Sequence, residues 1–215
     1  MQSVKDIKEV SLNSINIKRV EMTGIKMLLA TMAVLVFFVT VACAQKIYTM
    51  DKNHARVGFS VVHFGISHVE GNFKIIDAVL QTKNKNFADA TITFTAAVNS
   101  INTDVEYRDN DLKSTNYFDA VKFPSINFTS TSFKKIAGNI YRLVGNITIH
   151  GITKPVIFNV TYNGEAITAM KKPTAGFTIT GKIRRMDFGV GGTPATTGIG
   201  NNIELRGNVE FTISE

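Results

Sequence analysis

Alternation of apolar with polar residues, one short run at helical spacing and abundant turn residues predict an all-β protein. About eight or nine antiparallel strands would form a sandwich or closed barrel. Neighbouring strand residues point to opposite faces, so the faces can be read directly. Ile92, Phe94, Ala96 and Val98 alternate with Thr91, Thr93 and Thr95. Val156, Phe158, Val160 and Tyr162 alternate with Asn159 and Thr161, and Ile157 breaks the pattern once. Phe177, Ile179 and Ile183 alternate with Thr178, Thr180 and Lys182, and the run from Ile203 to Ile213 behaves alike. Shorter runs cover Val57 to Val61, Val69 to Ile75, Ile126 to Phe128 and Leu143 to Ile149. Parallel strands are usually apolar on both faces, which argues against a parallel sheet.

One segment reads as helix. Thr103 with Glu106 three residues later makes a capping box, followed at helical spacing by Val105, Arg108, Asp109 and Leu112. A helical excursion of this size between strands suits a lid or plug better than a second domain. A membrane barrel would turn its apolar face outward between aromatic girdles. Here there is no Trp, and Phe59, Phe94, Phe158 and Phe177 sit in mid-strand, so the apolar face is expected inside. Eight strands leave room for packed side chains or one small ligand.

The first 44 residues stand apart. Lys26 precedes the apolar run MLLATMAVLVFFVTV, from Met27 to Val41, and Ala42-Cys43-Ala44 follows it. This is the pattern of a signal peptide cleaved near Ala44, with Met22 as a candidate start; the run is shorter than the ~20 residues of a membrane span. An uncleaved anchor and lipidation of Cys43 are the alternatives. The expected organisation is therefore an upstream segment and signal peptide over 1–44 and a barrel over 45–215, periplasmic or secreted. Cys43 is the sole cysteine, so the domain after cleavage has no disulfide, thiol nucleophile or cysteine-ligated metal. From Gln45 onward 19 Lys and Arg face 14 Asp and Glu, a scattered net +5 that gives no reason to expect nucleic-acid binding.

The stretch SVVHFGISHVEGNF, Ser60 to Phe73, puts His63, His68 and Glu70 within eight residues. Facing divides them: His63 continues the inward set Val57, Phe59, Val61, while His68 and Glu70 point outward. A shared metal needs three or four convergent ligands, so no metal site is expected here. His63 is expected at one end of the barrel as a ligand contact. Arg185 continues the inward face of Phe177, Ile179 and Ile183. Such a guanidinium must be paired or must reach the mouth, either gripping a ligand head or bridging to Asp187 or the helix. Arg108, Asp109 and Asp111 are expected on a solvated helix face, and His150 in a turn. Asp187-Phe188-Gly189 lacks the other parts of a kinase site. Gly189 to Asn201 is glycine-dense without a phosphate-loop ending and is expected to be a flexible connection.

Four ordered blocks carry a resemblance: SVVHFGISHVEGNF, NSINTDVEYRDNDLKSTNYFDAVKFPSINFTS, LVGNITIHGITKPVIFNV and RRMDFG. Over about residues 46 to 213 the chain resembles the YceI-like family of exported polyisoprenoid-binding proteins, with a divergent segment after Gly189. The resemblance implies an eight-stranded antiparallel lipocalin-like barrel with a short helical insertion, an apolar tunnel for an isoprenoid lipid or isoprenoid quinone, and no catalytic group or cofactor. The family's histidine-phenylalanine pair falls on His63 and Phe64, and its motif arginine on Arg185. The expected ligand-lining set is Phe59, Val61, His63, Phe94, Val98, Phe128, Phe158, Phe177 and Arg185. Expected partners are the lipid or quinone, a membrane touched transiently during exchange, and a second copy of the chain in a homodimer. The rival readings are a hydrolase or isomerase in the same cavity, with His63 as acid or base, and a packed barrel acting through its surface.

Overall fold

The computed structural model describes residues 45–169, 171–192 and 197–214. The expected signal peptide and its cleavage site lie outside them, as does part of the glycine-dense segment after Gly189. The strands are β1 (Lys46–Met50), β2 (Arg56–His63), β3 (Ser67–Phe73), β4 (Ile76–Thr82), β5 (Thr91–Ala97) and β6 (Ile101–Asn102). Helix α1 (Glu106–Lys113) follows, then β7 (Ser125–Ala137), β8 (Ile140–Ile149), β9 (Ile152–Ile167), β10 (Pro173–Arg184) and β11 (Ile199–Ile213). All the pairings are antiparallel and belong to one sheet.

Eleven segments make eight barrel positions, because three strands are each broken in two. Along one edge of β11, β1 covers the end near Phe211 and β2 covers the stretch from Ile199 to Asn208. β3 pairs with β2 and β4 with β1; likewise β6 pairs with β3 and β5 with β4. β7, β8, β9 and β10 continue the sheet to β11, and the β1–β11 pairing closes the ring. Closure removes the open edges that would otherwise invite aggregation. Two of the breaks share one corner. The N–H groups of Lys74 and Ile75 donate to the carbonyl and hydroxyl oxygens of Ser100, both at 3.0 Å, so backbone released from the ladder there is still satisfied.

β1 and β4 are absent from the alternating runs read from the sequence, because Ile47 and Val79 put apolar residues on the polar face. In the barrel, Tyr48, Met50, Ile76, Ala78, Leu80 and Thr82 are buried. Ile157, the odd residue in its run, points outward and is exposed. β7 runs well beyond the expected Ile126 to Phe128; bulges between Ser130 and Ser132 and between Lys135 and Ala137 hide its period.

The helix begins later than the expected capping box. Val105 is the N-cap and makes no side-chain cap. Thr103 is occupied elsewhere: its N–H and hydroxyl donate to Asp109 Oδ1 at 2.8 and 2.6 Å, and Arg108 donates to its hydroxyl and carbonyl at 2.7 and 2.8 Å. Asp109 is consequently buried, not on a solvated face as the charge pattern suggested. A carboxylate taken out of water needs such donors.

The barrel has two unlike ends. At one, residues 83–90 between β4 and β5 fold inward and insert Phe87 between Tyr48, Tyr162 and Phe177, with ring centroids 5.3 to 5.5 Å apart. The other end collects the β2–β3 turn, α1, the β8–β9 turn and the segment between β10 and β11. It forms the mouth.

Candidate functional site

Inside the barrel lies a cavity of about 470 Å³, within the ~300–1,000 Å³ usual for small-molecule sites. Its wall is built from the inward positions of the strands. Phe59, Val61 and His63 come from β2, Phe94 from β5, Phe128 and Phe133 from β7, Phe158 and Val160 from β9, Phe177 and Ile179 from β10, and Leu205 and Phe211 from β11. Of the nine residues expected to line the interior, eight do so. Val98 does not: it lies in the 3-10 turn Val98–Ser100 and is buried in the core. The strand ends at Ala97, one residue before the alternation would have carried Val98 onto the wall.

Three of the lining phenylalanines lie against neighbouring glycines. A Cβ on Gly71 would run into the Phe59 ring, one on Gly145 into Phe128, and one on Gly181 into Phe158. Phe59 faces Gly71 and Phe158 faces Gly181 in register across adjacent strands. A side chain at those glycines would push each ring off the wall and into the lumen. The glycines keep the cavity open.

Polar groups gather at the mouth. His63 ends β2 opposite Ile199 and meets the Phe64 ring edge-on at 4.3 Å. α1 contributes Tyr107, Arg108, Asp111 and Leu112 to the lining, and the turn behind it contributes Tyr117 and Phe118; of these, Arg108 and Asp111 had been expected on a solvated face. His68 faces outward, where its Nδ1 is 3.1 Å from Ser60 Oγ, so it and His63 do not converge. His150 and Gly151, with φ of 50° and 75°, join Ile149 to Ile152 in a two-residue hairpin turn that demands positive φ. The His150 ring packs on Phe123, which is a turn role.

Arg185 points inward and lines the mouth, but in place of the expected bridge to Asp187 or the helix it bonds to backbone carbonyls and a threonine. Nε donates to Gly200 O at 2.9 Å, Nη1 to Val190 O at 2.7 Å, and Nη2 to Ile199 O at 2.8 Å and Thr197 Oγ1 at 3.4 Å. Asp187 is instead 3.8 Å from Arg184. Arg185 is buried, and desolvation lowers its pKa against the opposing influence of Tyr117. It pins the start of β11 and the end of the preceding segment to the rim. His63, Tyr107, Arg108 and Asp111 are further polar groups at the mouth.

A closed antiparallel barrel with an apolar lumen and a polar, helix-flanked mouth is a lipocalin-like barrel. Comparison narrows the class. The model of the YceI-like domain matches residues 48–211, and the chain belongs to that family. It is 35% identical to Protein YceI of Salmonella arizonae over 185 residues, 84% of this chain and 93% of that protein. A YceI protein of Campylobacter jejuni, solved by crystallography, is 31% identical with a TM-score of 0.64, over 70% of this chain and 88% of that one. A polyisoprenoid-binding domain from Saccharophagus degradans shares the fold at 12% identity, with a TM-score of 0.56 over 78% of this chain and 98% of that one.

Proposed function

We propose that this protein holds an amphipathic isoprenoid lipid, either a polyisoprenoid or an isoprenoid quinone, in its barrel and serves as a periplasmic or secreted carrier or buffer. The observation that carries the reading is the roughly 470 Å³ lumen walled mainly by phenylalanine and aliphatic side chains, with His63, Tyr107, Arg108, Asp111 and Arg185 grouped at one mouth. The tail lies against Phe59, Val61, Phe94, Phe128, Phe158 and Phe177. The head meets His63, Tyr107 or Arg108, on a rim whose outline Arg185 holds. Burying roughly 500 Å² of tail gains on the order of 12 kcal/mol. After about 4 kcal/mol for lost freedom, a micromolar Kd near −8 kcal/mol remains. No bond need be made or broken.

Exposed apolar residues at the mouth support the accompanying idea of brief membrane contact during exchange. Phe64 and Ile66 on the β2–β3 turn and Tyr107 on α1 are 66%, 88% and 78% exposed. The name of the Saccharophagus domain supports the ligand class, and the apolar run before Ala44 supports export.

The test is native mass spectrometry of protein purified gently from the cells that make it, followed by organic extraction of what it carries. A stoichiometric isoprenoid or quinone is expected. Protein that is empty and also takes up no added isoprenoid overturns the reading in favour of a packed barrel. Conversion of the lipid that is lost in His63→Ala would replace it with the enzyme.

A further inference from the structure

The break between β1 and β2 does more than bend a strand. Met50 pairs with Phe211 and Arg56 with Asn208, so the intervening residues, from Asp51 to Ala55, stand opposite Val209 and Glu210 of β11. Asp51 N–H donates to Glu210 O at 2.8 Å, which seats the break on β11. The Asp51 carboxylate accepts Asn53 N–H at 2.9 Å, and its other oxygen is 2.9 Å from His54 Nδ1. Val209 and Phe211 are buried in the core, so Glu210 between them faces the outer wall. Its partner on β10 is Gly176, which has no side chain to stand beside it.

Three side chains thus meet outside the lumen: one imidazole and two carboxylates, each with a ligand atom within 4.8 Å of the others. The donor set is mixed. An imidazole among three ligands suits a first-row divalent ion, whereas calcium and magnesium prefer all-oxygen sites of six or more ligands. At Zn–N and Zn–O lengths of about 2.0–2.2 Å, tetrahedral neighbours stand roughly 3.4 Å apart. The Asp51–His54 pair is already near that spacing, and exposed His54 can rotate to close the rest. Two carboxylates neutralise a dication, and water completes the shell of an open site.

We propose that Asp51, His54 and Glu210 form an outer-wall site for a divalent transition-metal ion, Zn²⁺ foremost, which staples the broken strand β1/β2 to β11. The site is independent of lumen cargo. Cys43 and the other three histidines lie elsewhere in the chain, so ligand substitutions discriminate cleanly.

The experiment titrates the purified, chelator-stripped protein with Zn²⁺ in competition with a chromophoric chelator, alongside His54→Ala and Glu210→Gln. One Zn²⁺ per chain is expected, with affinity falling at least ~10-fold in each variant, the loss seen when even a supporting partner of a ligand is removed. Ni²⁺ should compete and Mg²⁺ should not. The wild-type Tm should rise with Zn²⁺ and the His54→Ala Tm should not, since an ion held only by the folded state stabilises it. Failure to bind one equivalent, or binding unchanged in either variant, overturns the proposal and assigns any remaining uptake to His63, His68 or His150.

Discussion

Gly145 has no room for even one added carbon. A Cβ there would sit 2.5 Å from both the Phe128 ring and the Thr129 carbonyl oxygen. The ring can rotate, but the backbone carbonyl cannot move without disturbing the β7–β8 ladder. Gly145→Ala should therefore cost about 1–3 kcal/mol, the usual range for overpacking, measured by urea unfolding. Gly181→Ala meets chiefly the movable Phe158 ring and should cost less while shrinking the lumen, which uptake of a hydrophobic fluorescent probe would report. Arg185 is decisive in another way. Arg185→Met removes the donor from the Val190, Ile199 and Gly200 carbonyls. At about 1–3 kcal/mol per orphaned buried group, partly offset by water entering at the mouth, a total of roughly 2–4 kcal/mol is expected. Amide exchange should quicken from Thr197 to Gly200 while β4 and β5 stay protected.

At the level of elements, the two ends of the barrel are sealed by different physics. The closed end relies on Phe87, which is 1% exposed and adopts φ 57°. A non-glycine residue takes that conformation at a cost, here offset by burying a whole ring among three aromatics. Phe87→Ala should lose about 3–5 kcal/mol, the range for emptying an aromatic core site. The loop around it is tied by Asp89, whose carboxylate accepts from the Thr82 hydroxyl at 2.5 Å and from the Lys83 and Asn84 N–H groups at 3.0 and 3.2 Å. Desolvation pushes its pKa up, but these bonds together outweigh it and the net shift is downward. A folded-state pKa below the unfolded value of ~3.9 means stability that is present above that pH and lost as pH falls through the folded value. Thermal unfolding followed from pH 5 downward should show this acid-dependent loss in wild type, and Asp89→Asn should remove that part of it. At the mouth, α1 is anchored by Thr103, Arg108 and Asp109, with no side-chain cap from Val105. The helix is thus held by one largely buried polar network.

For the whole molecule, the consequence of closing eight strand positions is a lumen whose size depends on side chains from nearly every strand. Filling it should block uptake without unfolding the barrel. Ile179→Trp, at a half-buried lining position of β10, should weaken binding of a hydrophobic probe by at least tenfold, equivalent to ~1.4 kcal/mol. Its Tm should stay close to wild type, because the bulk enters space that is already empty and not a packed core. Loss of probe binding together with collapse of the Tm would show instead that the interior is packed.

Strand identity, inward facing and the apolar character of the lumen are local properties with a period of two, so Phe59, Val61, Phe94, Phe128, Phe158 and Phe177 were legible from the alternation alone. Family membership was legible for a similar reason, since ordered blocks of sequence are themselves local. Where a strand breaks is not local. Val98 leaves the wall because the chain turns at the Ser100 corner, and the eight positions emerge only when β1 with β2, β3 with β4, and β5 with β6 are seen to share places in the ring. The partners of Arg185 and Asp109 were hidden because they are backbone groups and threonines supplied by segments that fold back on them, which the charge pattern of a single strand or helix does not display. The Asp51, His54 and Glu210 cluster joins residues about 160 positions apart. An Asp-x-x-His turn was its only local trace, and the pairing of β1 and β2 with β11 supplied the third side chain. The sequence determined what each strand buries; barrel closure decided which distant groups meet, because that pairing is set by register around the ring.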